Sequence, residues 1–301
     1  MSATTRRGAL AVHPGALGDV LLAVPALRRL RETEGAVTLA AQPQLARLVA
    51  ALGEADEARD LDSLRLDALF AGDGAAMLPD VARVVCWLGS RDPDFVRRLR
   101  AQAPCAMVAP SVADGLVWQH LLATCGGAVS PACAPVRVPP AVTDGGRAAL
   151  EALGWDGRQR VLVVHAGAGG VAKRWPAEGF RGAVEDVSRR HGLCIVLHEG
   201  PADAEAVDAL MPGVPAALRL RRPELTTLAG VLALSTAYLG NDSGVSHLAA
   251  AVGTPSVVLF ATANLAWRPW AREPEIIKVT PASLEARDVA TVRAALARRL
   301  A

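Results

Sequence analysis

The sequence predicts an α/β protein made of two doubly wound domains, each with a parallel sheet covered by helices on both faces. Short apolar strands alternate with helical segments along the whole chain. A proline-rich stretch at 130–140 interrupts this alternation near the middle. The 301 residues suit two domains of about 150 residues each. We therefore expect an N-terminal domain at 1–140 and a C-terminal domain at 141–301.

The first half opens with a buried strand at 9–12, a turn with two glycines and a helix whose first residue is an acid, Asp19. Ligands of α/β proteins bind at such turns, at the carboxyl edge of the sheet, so Asp19 should lie at a cleft. Further apolar runs predict strands at 37–41, 83–87 and 105–108, and helices at 43–51, after 92–94 and around Trp118. The segment 54–78 is rich in Asp and Ala, and we expect short helices and loop there.

The second half restarts the alternation after the prolines, which we interpret as a linker. Thr143 and Asp144 should cap a helix that runs to Leu153. The remaining pattern predicts strands at 161–165, 193–198, 216–220, 237–240 and 256–260, helices at 178–190, 203–210, 225–234 and 243–252, and a long amphipathic helix at the end.

Composition narrows the function classes. The formal charge of +2 and the mixing of basic with acidic residues argue against a nucleic-acid partner. The five cysteines include no C-x-x-C pair and fit small core residues in a reducing cytosol. No apolar run reaches the roughly 18 residues of a membrane span, so we expect a cytoplasmic protein. The cluster of Arg28, Arg29 and Arg31 reads first as a solvated helix face, with contact to an anionic membrane surface as the alternative.

The stretch 240–255 is the clearest candidate site of the second half. A strand ends there and a helix begins at Asp242, Ser243 and Gly244. The free N–H groups of a helix N-terminus bind anions, and small residues let a phosphate approach closely. His247 lies four residues after Ser243, on the same helix face. The alternative is a capped helix with a buried histidine.

A glycine turn with Gly167 and Gly169 follows the strand at 161–165 and leads to Lys173. A flexible backbone and one lysine suit a diphosphate. The same glycines match a dinucleotide fingerprint, which leaves an NAD(P)-dependent oxidoreductase as an alternative. That fingerprint requires a helix starting at Gly169 or Gly170, whereas Pro176 favours a later start.

Other acidic residues are weaker candidates for ribose contacts or metal ligands. Glu199 and Asp203 follow the second strand of the half, where an acid commonly binds ribose hydroxyls, although a loop acid or a helix cap fits equally well. The D-x-D strings at 60–62 and 92–94 read better as loop acids or caps than as metal ligands. No zinc spacing or P-loop occurs, so we expect no metal site.

Three motifs in order, GALGD at 15–19, KRWP at 173–176 and DSGVSH at 242–247, resemble glycosyltransferase family 9, the heptosyltransferases of lipopolysaccharide inner-core assembly. The resemblance implies a GT-B architecture, with two Rossmann-like domains facing an interdomain cleft and the last helix, about 282–301, packing back towards the N-terminal domain. It also implies metal-independent, inverting transfer of a sugar from a nucleotide-activated donor, usually ADP-heptose, to a lipopolysaccharide core or related glycan.

The resemblance further implies that Asp19 is the catalytic base and that Lys173 binds phosphate. The donor-binding set then comprises Asp242, Ser243, Gly244, His247, Gly167 and Gly169. The N-terminal domain would bind the acceptor, with His13 and Gly15 as candidate contacts. A lipid-linked acceptor would bring the enzyme to the cytoplasmic face of the inner membrane.

Two departures from the family pattern stand out. His13 replaces a frequent Arg or Lys, and Ala166 and Ala168 replace a frequent Pro and Ser of the second glycine turn. The first change concerns the acceptor, and the second leaves backbone N–H groups to bind the phosphates. A catalytically silent nucleotide-sugar-binding protein is the remaining alternative.

Overall fold

The computed structural model describes residues 8–126, 133–214, 216–271, 274–280, 283 and 285–301. The chain divides into two compact units, Met1–Cys133 and Ala134–Ala301. Each unit contains one sheet in which every strand pair is parallel, which confirms the predicted fold class. Among the described residues, no helix combines the length and the apolar character that a membrane crossing requires.

The first unit alternates strands and helices in the order expected of a doubly wound sheet. Its elements are β1 (Ala9–Val12), α1 (Leu17–Leu22), α2 (Val24–Glu34), β2 (Val37–Ala41), α3 (Pro43–Ala51), β3 (Glu57–Asp60), α4 (Asp67–Ala71), β4 (Arg83–Cys86), α5 (Pro93–Gln102), β5 (Ala106–Val108) and α6 (Val117–Thr124). The strand order is β3-β2-β1-β4-β5. The order in which strands are added to the sheet therefore reverses between β1 and β4, and the turn after β1 lies at this switch point.

Strand β3 is a structural feature that the sequence pattern does not reveal. It lies at the sheet edge, within the segment expected to be short helices and loop, and consists of Glu-Ala-Arg-Asp with mostly exposed side chains. A strand without a buried face has no apolar alternation, so periodicity cannot identify it. The following α4 does match the expected short helix.

The second unit repeats the architecture with six strands. Its elements are α7 (Pro140–Ala152), β6 (Val161–His165), α8 (Ala177–His191), β7 (Cys194–Glu199), α9 (Ala204–Leu210), β8 (Leu218–Arg221), α10 (Leu225–Leu234), β9 (Ala237–Asn241), α11 (Gly244–Ala251), β10 (Ser256–Phe260), β11 (Glu275–Lys278) and α12 (Ala286–Leu300). The strand order is β11-β10-β9-β6-β7-β8, so the switch point lies between β6 and β9. Edge strand β11 was not predicted.

The stretch interpreted as a linker belongs partly to the second unit. Helix α7 begins at Pro140, three residues before the predicted cap, because a proline at the first helical position loses no hydrogen bond. The backbone N–H of Val136 donates to the carbonyl of Ala251 at 2.8 Å. These contacts place the boundary before the predicted residue 140. Predicted linker residues 130–132 lie outside the described part of the chain.

The C-terminal helix α12 packs on its own unit. Its buried side chains, Val292, Ala295, Leu296 and Leu300, belong to the core formed with α8 and the strands of the second sheet. Strands β9 to β11 and helix α8 cover the apolar stripe of this helix.

Candidate active site

The turn after β1 holds Asp19 in a fixed, half-buried position. Asp19 is the third residue of α1, not the first, and its Oδ2 accepts a hydrogen bond from the N–H of Ala16 at 3.1 Å. This bond satisfies one of the free N–H groups at the helix start. Its second oxygen, Oδ1, has no hydrogen-bond partner among the described residues. Asp19 therefore serves as a helix cap and still has one oxygen for a further partner.

The buried side chain of His13 holds this turn through a hydrogen bond. Its side chain is 1% exposed, and its Nδ1 accepts a hydrogen bond from the N–H of Gly15 at 3.0 Å. Burial lowers the pKa of His13 to about 4, so the ring is neutral at pH 7. The ring also contacts Trp87, which follows β4, with centroids 5.6 Å apart. In this structure His13 positions the turn and offers almost no surface to an acceptor.

Gly15 lies between these two side chains. A Cβ at this position would be 2.6 Å from Asp19 Cβ and 2.7 Å from His13 Cε1. Real Cβ atoms do not approach that closely, so any larger residue would push the histidine and the aspartate apart. The requirement for glycine is steric, because the backbone of Gly15 is not in the left-handed region.

Three loops of the second unit meet at Asp242. They follow β6, β9 and β10, which are neighbours in the sheet. Asp242 Oδ2 accepts from Lys173 Nζ at 2.9 Å and from Asn264 Nδ2 at 2.8 Å. The side chain of Asp242 is 8% exposed, whereas that of Lys173 is 45% exposed. The sequence predicted Lys173 and Asp242 for one site, and the structure brings them into direct contact. Asn264 was missed.

The start of α11 completes this cluster. Ser243 is the N-cap residue, and its Oγ accepts from the N–H of Ser246. His247 is 5% exposed, and its Nδ1 has no hydrogen-bond partner among the described residues. Burial lowers the pKa of His247 to about 4, so it is a neutral ring beside the charged pair. Helix α11 thus presents free N–H groups and a neutral imidazole next to Lys173.

The glycine turn after β6 leaves open space beside Gly169 and Gly170. A Cβ on Gly169 or Gly170 would meet nothing within 4 Å, whereas a Cβ on Gly167 would be 2.1 Å from Asp203 Oδ1. The loop continues through a 3-10 turn at Val171–Lys173, and α8 begins only at Ala177. The dinucleotide fingerprint requires a helix that starts inside it, so the oxidoreductase interpretation lacks its structural basis.

The two candidate ribose contacts are mostly engaged within the protein. Asp203 accepts from the N–H of Gly200 at 3.1 Å and lies 3.7 Å from Arg174. Glu199 is 0% exposed, and its Oε2 accepts from Arg219 at 2.5 Å. Its Oε1 is buried without a hydrogen-bond partner among the described residues. Of the two acids, Glu199 therefore offers no accessible oxygen to a ribose hydroxyl, and Asp203 is the more exposed, with 10% of its side chain accessible.

A buried pair of histidines lies beside the glycine turn and was not predicted. His165 and His198 end neighbouring strands, with Nδ1 atoms 3.0 Å apart. Burial lowers the pKa of His198 to about 3 and also lowers that of His165. Both rings are therefore neutral, and one Nδ1–H donates to the other Nδ1. The 33-residue separation gives no motif by which sequence could have paired them.

The basic cluster on α2 is paired with the protein's own acids. Arg28 contacts Glu54 at 2.6 Å, and Arg31 contacts Asp56 at 3.1 Å. Arg29 lies 3.3 Å from Glu32. These pairs favour the solvated-face interpretation over a membrane contact. Of the two D-x-D strings, the second caps α5, because Asp92 accepts from the N–H groups of the first turn.

Comparison with known proteins identifies the family of the chain. The profile of Glycosyltransferase family 9 (heptosyltransferase) matches residues 142–292. Lipopolysaccharide heptosyltransferase 3 of Escherichia coli K12 is 34% identical over 133 residues, which span 41% of this chain and 37% of that protein. The matched part is thus well under half of this curated relative.

Solved structures show the same fold over almost the full length. A glycosyl transferase family 9 structure from Veillonella parvula DSM 2008 has a TM-score of 0.75 at 18% identity, covering 98% of this chain and 97% of the other. The structure of the E. coli ADP-heptose LPS heptosyltransferase II has a TM-score of 0.72 at 16% identity, covering 98% and 100%. These matches confirm the GT-B architecture. The profile match covers half of the sequence and includes the Lys173–Asp242 cluster, and the chain belongs to glycosyltransferase family 9.

Proposed function

We propose that this protein transfers a sugar, heptose from ADP-heptose, to a hydroxyl group of a lipopolysaccharide core or related glycan, with inversion at the anomeric carbon. One observation carries the proposal: a lysine held by an aspartate at the N-terminus of α11, at the switch point of the second sheet. Because the chain belongs to family 9 and a helix N-terminus favours anions, we assign this cluster to the diphosphate of a nucleotide sugar. A curated relative is named as a lipopolysaccharide heptosyltransferase, and a structural neighbour as an ADP-heptose enzyme.

The second unit binds the donor in this proposal. The Lys173 ammonium is nearly half exposed, so it can turn from Asp242 to a phosphate oxygen without unpacking the loop. The N–H groups at Ser243 and Gly244 and the neutral ring of His247 then donate hydrogen bonds to the diphosphate. Gly169 lets the phosphates approach the backbone, Gly167 makes room for Asp203 in the same turn, and Ala166 and Ala168 contribute only main-chain groups.

The first unit supplies the base. The acceptor hydroxyl binds at Asp19 Oδ1, and its oxygen attacks the anomeric carbon from the face opposite the leaving group. The hydroxyl proton moves to the Asp19 carboxylate as the new C–O bond forms. The bond between the anomeric carbon and the phosphate oxygen breaks, and its electron pair leaves with the nucleoside diphosphate. Lys173 and the α11 N-terminus stabilise this developing charge, in the role that a metal ion has in other transferases.

The acceptor side is expected to be recognised through its sugar. Arg28, Arg29 and Arg31 are engaged in ion pairs, which leaves them poorly suited to hold an anionic membrane surface. We propose a cytoplasmic enzyme that binds the glycan part of its acceptor near Asp19.

Nucleotide titration tests the donor half of the proposal. Ligands that bind only the folded state raise the melting temperature, so ADP, UDP, GDP and CDP can be ranked by thermal stabilisation. We expect ADP to rank first. A UDP preference would contradict the heptose assignment. Binding without release of nucleoside diphosphate in the presence of ADP-heptose and core glycans would favour a silent binding protein.

A further inference from the structure

We propose that Asn241 is a positioning residue that holds both ends of the loop 166–175 and thereby places Lys173 in the donor site. The effect on nucleotide binding rests on the proposed function, whereas the contacts that hold the loop are independent of it. Neither the composition of the motif nor its helix cap requires an asparagine here.

Asn241 makes three hydrogen bonds with its side chain. It is the last residue of β9 and is 0% exposed. Its Nδ2 donates to the carbonyl of Ala166 at 2.9 Å and to that of Gly167 at 3.3 Å. Its Oδ1 accepts from the N–H of Trp175 at 3.1 Å. The opposite amide orientation would face an oxygen towards two carbonyls, so the network determines the orientation.

The segment between these two anchor points has little packing of its own. No residue of the Val171–Lys173 turn is buried, and Val171 is 70% exposed. Trp175 at the end of the loop is 2% exposed and packs edge-on against Phe180. Next to Lys173, Arg174 Nη2 donates to the carbonyl of Ala202 at 2.9 Å. Because the Val171–Lys173 turn has no buried residue, the position of Lys173 depends on this contact and on where the two ends of the loop are held.

The main chain of Asn241 is itself fixed from the opposite side. Ser246 Oγ donates to the Asn241 carbonyl at 2.6 Å, and the Tyr238 hydroxyl lies 2.9 Å from the same Oγ. The single serine hydrogen is used on the carbonyl, so Tyr238 donates to Ser246. Gly240 makes room for this hydroxyl, since a Cβ there would be 2.1 Å from it. The Asn241 side chain, which holds the loop, thus extends from a fully buried strand end whose main chain is fixed by hydrogen bonds.

Asn241 and Asp242 act on the same loop from adjacent positions. Asn241 holds its ends, and Asp242 holds the Lys173 ammonium in the absence of donor. When a diphosphate takes the ammonium from Asp242, the contacts of Asn241 remain. The loop can then exchange one ion pair for another without a change in its backbone.

Amide hydrogen exchange tests the contacts without any ligand. Asn241→Asp keeps the shape but turns a carboxylate towards two carbonyl oxygens. We expect amides of 166–175 to exchange about tenfold faster, because two buried hydrogen bonds are lost. Thr254→Val is the matched control, since it removes a buried hydrogen bond to the Leu232 carbonyl at 2.7 Å, at the amino end of β10. Equal acceleration of the loop in both variants would overturn the proposal.

Nucleotide affinity tests the consequence for Lys173. We expect Asn241→Asp to weaken ADP binding about tenfold while adenosine binding stays within about twofold, because only the phosphates contact the lysine. Combined with Lys173→Met, the aspartate variant should add little further loss, since both act through one group. Additive losses, or equal losses for ADP and adenosine, would show that Asn241 is merely structural.

Hydrogen exchange and nucleotide affinity together distinguish a failure of the Asn241 proposal from a failure of the proposed function. If the wild-type protein binds no nucleoside diphosphate, the proposed function fails, and hydrogen exchange still decides whether Asn241 holds the loop. If Asn241→Asp does not fold, hydrogen exchange of the wild-type protein still tests whether Asn241 holds the loop. The Trp175 amide must then exchange more slowly than the other amides of 166–175, and exchange at the rate of its exposed neighbours would contradict the proposal.

Discussion

Replacing Lys173 with methionine separates its role in nucleotide binding from its role in stability. The ion pair with Asp242 is 2.9 Å long, but the lysine side chain is 45% exposed. A pair this accessible to water contributes about 0–1 kcal/mol to folding. Asp242 also keeps its hydrogen bond from Asn264 at 2.8 Å, so it is not left buried and unpartnered. We therefore expect the free energy of unfolding to fall by less than about 1 kcal/mol.

The effect on ADP should be much larger. A hydrogen bond from an ammonium to a phosphate is charge-assisted and contributes about 1.5–3 kcal/mol, which corresponds to about 10- to 150-fold in affinity. Isothermal titration calorimetry with ADP and with adenosine measures this difference, and only ADP should lose affinity. The loss should shrink as salt is raised, because screening weakens the wild-type interaction first.

The chain offers a matched control for this substitution. Its one other lysine, Lys278, ends edge strand β11 and is exposed, with no ion pair among the described residues. Lys278→Met removes the same charge and should leave ADP affinity within about twofold. If the two variants weaken ADP equally, net charge and not the Lys173 site explains the effect, and the assignment of Lys173 is wrong.

Three further predictions concern Asp19, the glycines of the two turns and the buried histidines. Asp19→Asn should lower turnover at least about 100-fold with ADP affinity unchanged, as judged by product formation and calorimetry. Gly15→Ala should cost about 1–3 kcal/mol in urea unfolding and lower turnover, whereas Gly169→Ala, which meets nothing within 4 Å, should leave stability unchanged. Burial lowers the pKa of His13 and His247 to about 4. Unfolded histidines take up protons near 6.5, so the unfolding free energy should be constant above that pH and fall as pH drops towards 4. His13→Gln should make this fall shallower in urea titrations at several pH values.

The parts of the site that sequence predicts are those with a local pattern. Asp19, Lys173 and Asp242 each lie between a clearly apolar strand and the end of the first turn of the next helix, and in a parallel sheet that position is the ligand edge. The predicted fold class and family were confirmed for the same reason. The alternation of strands and helices, and three motifs in order, are properties that can be read along the chain.

The residues that sequence missed depend on contacts between distant segments. His165 meets His198 only because β6 and β7 are neighbours, and Asn264 reaches Asp242 from the loop after β10. In the sequence, Asn241 looks like part of a helix cap. Its hydrogen bonds to the loop 75 residues earlier are visible only in the structure. Edge strands β3 and β11 lack the apolar alternation that identifies a strand.

The two units differ in how a carboxylate meets a helix start near the switch point of the sheet, and the proposed division between base and donor site follows this difference. In the first unit, a carboxylate of the chain itself binds the start of α1, through Asp19 Oδ2 and the N–H of Ala16. The carboxylate thereby offsets the positive end of that short helix, which disfavours an anion there, and its other oxygen remains for the proposed role of base. In the second unit, the carboxylate of Asp242 precedes the cap and is neutralised by Lys173, so the N–H groups of α11 remain free. In the proposed function, the anionic donor therefore binds at the second unit and the acceptor hydroxyl at the first.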